Sequence, residues 1–545
     1  MLAALSELRL RAVTDLALGR ERLLAGDVDA AGAAFARARR WPGAAEAARA
    51  GLGWTSARTG RDAGSLPVPE RLGLASVPGE ALLLSALDAQ QFDAAAAVAR
   101  LMRRSGDPLG ALYQAVAALE SGDESLAREA AAASRVPLAS RGPGASLARA
   151  LAARDAGART LLLDERGELV AAVDAGGTLR EAPEAAGLVP GLLGLLGLLG
   201  RLEATGGALA VRLSVDLELS RAALWALGDA RGSIVLVDAA SGLVRVAVSD
   251  ARTLARERAA AFTQRREPAS IVKLLTAAAA YRAGVDPDAA IARMTCSGVE
   301  RYGGKPLWCV FPGGPLAGLD DALAQSCNVA FANVGVRLGA GLVRDEYRRW
   351  GFDAGGAALL GSAGRVHTEP RTPRQLADLS IGLELVDVTP LHAALLAAVV
   401  ANDGRLPEPR LLAGPCGPLG LTGAREAPAA SHDAPPARRQ VLDPAVARRL
   451  RQAMEVVARS GTGAFLAPPG FEVAMKTGTA AERGQGYHVN YIGLGPLPAA
   501  TLAFCVRVTH GPTSPAVTTE ARAVTRRLLA ALASRRPDRR GQVLD

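Results

Sequence analysis

Lysine is almost absent from this sequence. It occurs only as Lys273, Lys305 and Lys476, although lysine and arginine together number 63 in the chain of 545 residues. A composition that replaces lysine with arginine so consistently marks the remaining lysines as candidates for a role that arginine cannot fill. Losing a proton is such a role, because the surroundings can lower the pKa of an ammonium group, whereas a guanidinium stays charged.

Cysteine is scarce, and its spacing excludes several classes of protein. The five cysteines form no C-x-x-C pair, so the sequence indicates neither a disulfide scaffold nor a zinc site. Cys296 and Cys309 lie 13 residues apart and could pair in an exported protein. They could equally be unpaired buried thiols, and the sequence leaves both interpretations open.

Long apolar runs and nucleic-acid-binding motifs are also missing. The longest apolar stretch, 185–200, is interrupted by Pro190 and five glycines and is too short for a typical spanning helix. No signal peptide is visible, so we expect no export signal or membrane anchor within this sequence. The net charge of +9 comes from scattered arginines, which are typical of solvated helix faces, and we therefore expect no nucleic-acid partner.

Residues 1–135 have a helical pattern. Segments 23–40 and 118–134 each place a Gly-Asp turn before an alanine-rich helical run, and 90–107 is a looser copy. This pattern resembles tetratricopeptide-type helical hairpins and predicts an all-α, repeat-like region. Such a region either binds partner proteins or serves only for packing.

The rest of the chain alternates between strand and helix patterns. We predict a linker over 136–157, a short entry segment with a β-hairpin over 158–208, a large domain over 209–534 and a basic tail over 535–545. Strand patterns lie at both ends of the large domain, with helices between them. They indicate one sheet built from pieces that are distant in the chain.

Three short motifs in the large domain contain residues suited to acyl transfer. Ser270 begins a helical run and Lys273 follows one turn later on the same face, so a lysine of lowered pKa could take the serine's proton. The second motif is Ser326-Cys327-Asn328, at a helix junction. The third is Lys476-Thr477-Gly478-Thr479, where an apolar strand leads to a glycine that permits close approach of a ligand.

Each motif alone is weak, but their order S-x-x-K, S-x-N, K-T-G is the set shared by penicillin-binding proteins and class A β-lactamases. Two of the three lysines occupy the two motif positions that require lysine. Segments 380–404, 458–465 and 488–496 also resemble the flanks of these motifs in penicillin-binding proteins. The chain is therefore similar, over about 158–534, to the transpeptidase domain of that family, with features of its class B, monofunctional members.

The resemblance implies a fold and a set of roles. The fold is α/β (α+β), with an antiparallel five-stranded sheet flanked by helices. Ser270 would attack a D-Ala-D-Ala peptide with Lys273 as general base, Ser326 would pass a proton to the leaving amine, and Asn328 would orient Lys273 and the substrate amide. Residues Lys476, Thr477 and Thr479 would hold the substrate carboxylate, beside Gly478, and the N–H groups of Ser270 and Thr479 would form the oxyanion hole.

The same resemblance implies partners and a location. The partners would be peptidoglycan stem peptides, with β-lactams as covalent inhibitors and cell-wall synthesis proteins binding through 1–135; no metal or cofactor is needed. The location would be the cell envelope, on the periplasmic side of the inner membrane. Two departures concern the pocket: Ala269 replaces the usual glycine before the nucleophile, and Leu383-Glu384 replaces a Gln-Gly pair.

Alternative functions remain open from the sequence. A β-lactamase would share all three motifs, and Glu369-Pro370 superficially resembles its catalytic glutamate loop, but the residues that follow do not match. A β-lactam sensor or a scaffold could retain the same pocket. A Ser-His-Asp hydrolase is disfavoured, because no G-x-S-x-G occurs and the five histidines form no recognisable partner set.

Overall fold

The structure is a computed structural model. It describes residues 14–20, 22–23, 28–40, 44–59, 83, 86, 92–104, 106, 109–121, 123–134, 143–174, 176, 178–189, 210–309, 313–355, 358–416, 439–482, 486–510 and 517–534. The chain forms two compact units. The first contains Met1–Glu184, Leu202–Leu213 and Gly414–Pro428, and the second contains Ala185–Arg201, Ser214–Ala413 and Ala429–Asp545.

The first unit begins with helices, which are Val28–Ala38, Ala45–Thr59, Phe92–Arg104, Gly110–Glu120, Glu124–Ala132 and Pro143–Asp155. Val28–Ala38 packs on Ala45–Thr59, and Gly110–Glu120 packs on the helices before and after it. Their core is largely alanine around Phe35, Trp54 and Tyr113. The Asp123 carboxylate caps one helix by accepting the N–H of Leu126. The region is thus helical where it is described, and its repeat-like character stays a prediction.

Part of the segment predicted as a linker is helical. Pro143 stands at the start of the helix Pro143–Asp155, where its fixed φ suits the first turn, and alanine, leucine and arginine follow it. Residues 135–142 and the predicted tail 535–545 lie outside the described residues. The domain boundaries themselves stay predictions.

The first unit also contains a sheet. The predicted hairpin is confirmed, since Ala158–Leu163 pairs antiparallel with Leu169–Asp174 around a turn in which the Asp164 carboxylate accepts the N–H groups of Arg166 and Glu168. The sheet has five strands, in the order Leu412–Cys416, Ala210–Leu213, Ala158–Leu163, Leu169–Asp174 and Leu179–Glu181.

A five-stranded antiparallel sheet forms the centre of the second unit. Its strands, in order, are Ala474–Glu482, Gly486–Gly495, Leu502–Thr509, Gly232–Asp238 and Val244–Ser249. Two runs rich in β-branched residues around 239–242 predict a hairpin over 232–250, and the pairing of Gly232–Asp238 with Val244–Ser249 confirms it. Strands from the two ends of the unit are neighbours. Most residues of the central strands are buried, so both faces of the sheet are covered.

Helices cover this sheet. Pro390–Ala401 packs on its central strands and is apolar on all sides, which is typical of a core helix. Leu217–Leu227 and Val517–Ala533 pack on each other and on the sheet. The remaining longer helices are Lys273–Arg282, Asn328–Leu338, Ala340–Arg349, Pro373–Ile381 and Pro444–Ser460.

Shorter elements complete the second unit. Its short helices are Ala251–Arg256, Ala260–Thr263, Pro287–Ala292 and Leu319–Ala324. A 3₁₀ turn spans Ala269–Val272, and a turn with left-handed backbone at Leu359 and Leu360 spans Ala358–Gly361. Its short strands are Thr295–Cys296, Val299–Tyr302, Lys305–Trp308, Gly314–Pro315, Arg365–Val366, Val386–Asp387, Arg405–Leu406 and Arg439–Gln440. Within the described residues of the whole chain, no helix combines the length and apolar character needed to cross a membrane.

Candidate active site

Ser270 lies in the 3₁₀ turn Ala269–Val272, which continues directly into the helix Lys273–Arg282. The preceding Ala269 has φ of 54°, a left-handed conformation that usually favours glycine. Its N–H donates to the carbonyl of Gly382, where an added Cβ would lie 2.3 Å from the Ala269 carbonyl oxygen. Close packing of these two segments holds the unusual backbone at Ala269, so the alanine is accommodated in the conformation expected of glycine.

Lys273 is completely buried and bound to the second motif. Its Nζ donates to the carbonyl oxygen of Ser326 at 2.7 Å and to Oδ1 of Asn328 at 2.8 Å, and it lies 3.3 Å from Oγ of Ser326. Burial lowers the pKa of the Lys273 ammonium to about 7. At neutral pH a large fraction of this lysine is therefore uncharged and able to accept a proton.

Lys476, from the third motif, contacts the same serine. Its Nζ donates to Oγ of Ser326 at 2.9 Å and to the carbonyl oxygen of Thr477 at 2.8 Å, and its side chain is fully buried. Burial, and then the nearby Lys273, lower the pKa of Lys476 well below its usual value. The hydroxyl of Ser326 thus bridges two lysines and can pass a proton between them or to a bound ligand.

Gly478 allows the third motif to lie against the backbone of Ser270. It lies in the edge strand Ala474–Glu482, where a Cβ added to it would lie 3.0 Å from the Pro268 carbonyl oxygen and 3.1 Å from the backbone nitrogen of Ser270. A side chain here would press on the backbone that presents Ser270. The glycine therefore allows the strand to approach the backbone of Ser270 closely. The predicted role of Gly478, close approach of a ligand, stays a prediction.

All three motifs line one cleft of about 390 Å³. Its lining residues are Ala269, Ser270, Gln325, Ser326, Asn328, Ile381, Leu383, Thr462, Thr477, Gly478, Thr479, Tyr491, Thr518 and Arg522. The lining includes every predicted site residue except the two buried lysines, both of which contact the hydroxyl of Ser326. No aspartate or glutamate is among the described residues that line this cleft.

The sequence did not reveal the hydrogen bonds that hold the backbone just before Ser270. The Nδ2 of Asn490 donates to the carbonyl oxygens of Glu267 and Pro268, and the ring of His488 contacts the Glu267 carbonyl at 2.7 Å. Asn490 faces Gly478 across the strand pair. The only available signal was an asparagine and a histidine within an otherwise apolar strand, which does not reveal the partner.

Arg507, on the central strand of the sheet, holds the side chain of Asn490 in place. Its Nε donates to Oδ1 of Asn490 at 2.7 Å, and its two terminal nitrogens donate to the carbonyls of Gln264 and Val388 at 2.8 and 2.9 Å. The side chain is completely buried. A planar fork of donors is needed to reach three acceptors in different directions, and an ammonium cannot reproduce it.

We therefore expect Arg507→Lys to lower the free energy of unfolding by about 2–4 kcal/mol, since charged hydrogen bonds and satisfied buried carbonyls are lost. Chemical denaturation of the full chain measures the difference. Arg526→Lys, an exchange of the same type at an exposed position, serves as the control and should change little. Equal stability of the Arg507→Lys variant and the parent protein would contradict this role.

Arg522 forms a second set of hydrogen bonds to backbone near the site, which the sequence did not indicate. It lies on the C-terminal helix and donates to the carbonyls of Thr462 and Ala464 at 2.9 and 2.6 Å. The hydroxyl of Thr462 lies 2.5 Å from that of Thr477. Arg522 thus carries a positive charge to the end of the cleft where the third motif lies, which suits an anionic ligand.

The sequence left open a β-lactamase-type glutamate at Glu369 and a disulfide between Cys296 and Cys309. Glu369 is exposed over 57% of its side chain and forms ion pairs with Arg344 and Arg348, and it is not among the residues lining the cleft. Cys296 and Cys309 are free thiols with sulfur atoms 3.5 Å apart.

Comparisons with known proteins agree with the family resemblance found in the sequence. The family model of the penicillin binding protein transpeptidase domain matches residues 232–530. Peptidoglycan D,D-transpeptidase PbpA of Mycolicibacterium smegmatis is 28% identical over 320 residues, which cover 52% of this chain and 63% of that protein. The PbpA of Mycobacterium tuberculosis H37Rv is 30% identical over 285 residues, or 46% and 51% of the two chains. The chain thus spans between about half and under two thirds of these relatives' lengths.

Solved structures agree on the fold. The penicillin G acyl-enzyme complex of penicillin-binding protein A from M. tuberculosis aligns with a TM-score of 0.56 at 22% identity, over 69% of this chain and 100% of that one. The D,D-transpeptidase domain of a peptidoglycan glycosyltransferase from Eggerthella lenta aligns with a TM-score of 0.55 at 20% identity, over 69% and 99%. The predicted fold class, an antiparallel sheet flanked by helices, is confirmed.

Proposed function

The chain belongs to the penicillin binding protein transpeptidase domain family, whose model matches residues 232–530 of 545, and from this premise we propose that it is a serine D,D-transpeptidase. Its substrates are D-Ala-D-Ala stem peptides of peptidoglycan, which it crosslinks through an acyl-enzyme on Ser270. The observation that carries the proposal is the hydroxyl of Ser326 between two buried lysines, in the same cleft as Ser270.

Acylation follows from the roles of these groups. Oγ of Ser270 gives its proton to the uncharged Lys273 and bonds to the carbonyl carbon of the penultimate D-Ala. The negative oxygen that develops is stabilised by the N–H groups of Ser270 and Thr479, each worth about 3–4 kcal/mol. Collapse breaks the peptide bond, and Ser326 delivers a proton to the departing D-Ala amine. An amine of a second stem peptide then attacks the ester and releases Ser270.

Binding of the substrate carboxylate changes the state of the third motif. The pKa of Lys476 is low in the free site because of burial and then the neighbouring Lys273. An anion held by Thr477, Thr479 and Lys476 favours the protonated lysine and raises that pKa again. Substrate binding therefore places a negative charge beside Lys476, and the positive charge of Arg522, which lines the same cleft, attracts that carboxylate as well.

A β-lactamase is the second candidate for the same motifs. Fast deacylation in class A enzymes uses a glutamate that activates water. Since no carboxylate is among the described residues lining the cleft, and Glu369 is held in surface ion pairs, the geometry favours a long-lived β-lactam adduct. A sensor or scaffold role for the same pocket is weaker, because both lysines contact Ser326 and the remaining motif residues line one cleft.

Location and partners extend the proposal. Peptidoglycan substrates place the enzyme in the cell envelope, on the periplasmic side of the inner membrane. The helices of the first unit offer a surface for cell-wall synthesis proteins. Fractionation of cells expressing the native gene tests the location, and recovery only in the soluble cytoplasmic fraction would contradict it.

The pH dependence of acylation follows from Lys273. The lysine must be uncharged to accept the proton of Ser270, and its pKa is about 7. We expect the β-lactam acylation rate to rise with pH from about 6 to 8 and to reach half its maximum near pH 7. Stopped-flow measurement over this interval checks the profile. A rate that falls or stays constant over the interval would contradict Lys273 as the base.

Activity is tested with an N-acyl-Lys-D-Ala-D-Ala peptide and an excess of a second D-amino acid. The account predicts release of D-Ala and formation of the exchanged peptide by the wild type, and neither with Ser270→Ala. Hydrolysed peptide without exchange would replace the transpeptidase assignment with a carboxypeptidase. Rapid turnover of β-lactam would replace it with a β-lactamase.

A further inference from the structure

Three cysteines from separate segments meet beside the second motif. Cys296 ends the strand Thr295–Cys296, Cys309 follows the strand Lys305–Trp308, and Cys327 precedes the helix Asn328–Leu338. The Cys309 sulfur lies 3.5 Å from each of the other two, and all three sulfurs lie within 4.8 Å of one another. We call Cys296, Cys309 and Cys327 the thiol cluster.

The spacing along the chain gave no indication of this cluster. Its members are separated by 13 and 18 residues, unlike the short pairs of a zinc ribbon or finger. The fold supplies the proximity instead. The expectation that the chain contains no metal site rested on spacing alone, and the cluster gives a reason to test it.

The sulfur positions suit a shared metal ion. Three thiolates on a tetrahedral Zn²⁺, with bonds of about 2.3 Å, lie roughly 3.8 Å from each other. Two of the separations in the cluster are 3.5 Å and the third is at most 4.8 Å, so small side-chain movements would bring the three sulfurs to this arrangement. A disulfide needs sulfurs at about 2.0 Å and would leave the third thiol unused, so it does not explain why three converge.

Backbone donors also favour anionic sulfur at this place. The sulfur of Cys309 accepts the N–H groups of Asn328 at 3.1 Å and Val329 at 3.3 Å. The sulfur of Cys327 accepts the N–H of Ala330 at 3.4 Å. Hydrogen bonds of this kind stabilise thiolates, which are the form that binds metals.

We propose that the thiol cluster is a three-thiolate site for a thiophilic d¹⁰ cation, with Zn²⁺ as its representative ion. On binding, the thiols release their remaining protons to solvent and form three metal–sulfur bonds, with no change of oxidation state. Cys309 is only partly buried, so solvent can reach the cluster and supply a water as fourth ligand.

The ion would act on the neighbouring motif by position. Asn328 follows Cys327 directly, its amide donates to the Trp308 carbonyl at 2.8 Å, and its Oδ1 accepts from Lys273 at 2.8 Å. A metal bound to Cys309 and Cys327 would fix both segments that hold this amide. The metal-bound cluster would therefore hold in place Asn328, the residue that orients Lys273.

Zinc binding to the reduced full-length chain tests the proposal. A chromophoric chelator competes for Zn²⁺, and we expect one equivalent bound by the wild type. Cys309→Ser should weaken binding at least about tenfold, because a ligand to the metal is lost. Cys505→Ala removes a buried cysteine of the central sheet, outside the thiol cluster, and should bind like the wild type.

Cobalt gives a second readout that does not depend on a variant. Co²⁺ bound by thiolates shows strong ultraviolet charge-transfer absorption, which we expect in the reduced wild type and which Zn²⁺ should remove. If circular dichroism finds Cys309→Ser unfolded, the zinc affinity of Cys296→Ser and the wild-type cobalt spectrum test the site instead.

Three outcomes would overturn the site. They are the absence of a stoichiometric zinc equivalent in the reduced wild type, equal zinc affinity in the wild type and the cluster variants, and a cobalt spectrum without thiolate bands. None of these measurements uses acylation, so the result is independent of the proposed transpeptidase activity.

Discussion

Replacing Lys273 with arginine lowers the rate of β-lactam acylation about 10³-fold, within the range that general-base catalysis contributes. Arginine has a similar length, but it stays protonated and cannot accept the proton of Ser270 at neutral pH. Lys273 can, because burial lowers its pKa to about 7. The loss is thus a loss of the base and not of the cleft, and the pH dependence of the residual rate should flatten.

Lys305→Arg is the matched control for this prediction. It makes the same exchange at an exposed lysine, on the strand Lys305–Trp308 of the same unit. Time courses of intact mass with benzylpenicillin give both rates, and the control should acylate like the wild type. Acylation by Lys273→Arg within a few-fold of wild type would remove Lys273 from the base role.

Gly478→Val lowers acylation about 10²-fold or more, the cost of misplacing one oxyanion donor. A Cβ at this position lies 3.1 Å from the backbone nitrogen of Ser270 and 3.0 Å from the Pro268 carbonyl oxygen. The branched side chain forces the edge strand and the nucleophile turn apart. Valine suits a strand, so we expect the fold to persist while the geometry of the site is lost.

Gly341→Ala is the control for the glycine change. A Cβ there meets no atom within 4 Å, and the residue lies in the helix Ala340–Arg349. Acylation should be unchanged and stability equal or slightly higher. Circular dichroism establishes that both variants fold. Wild-type acylation by a folded Gly478→Val would contradict the close approach as a requirement of catalysis.

The residues that meet in the cleft were predictable because they lie in short motifs, and their chemical roles stay predictions. Ser270 and Lys273 are one helical turn apart, so the sequence alone places them on one face. The scarcity of lysine drew attention to Lys273 and Lys476, which are two of only three lysines in the chain. Two runs rich in β-branched residues on either side of a turn predicted the hairpin in 232–250, whose two strands are local in the chain.

The supports of the site were not predictable, because they depend on contacts between distant segments. Arg507 reaches carbonyls at Gln264 and Val388, which are separated from it by 243 and 119 residues. An arginine inside an apolar strand gives no indication of such partners. The left-handed backbone of Ala269 is likewise imposed by packing against Gly382 and contradicts the local preference of alanine.

Intact mass spectrometry after incubation with a penicillin tests the central claim most directly. The account predicts that the wild type gains one persistent adduct with the mass of the drug and that Ser270→Ala gains none. A folded wild type without an adduct and without drug turnover, or an equal adduct on Ser270→Ala, would contradict Ser270 as the acylated nucleophile.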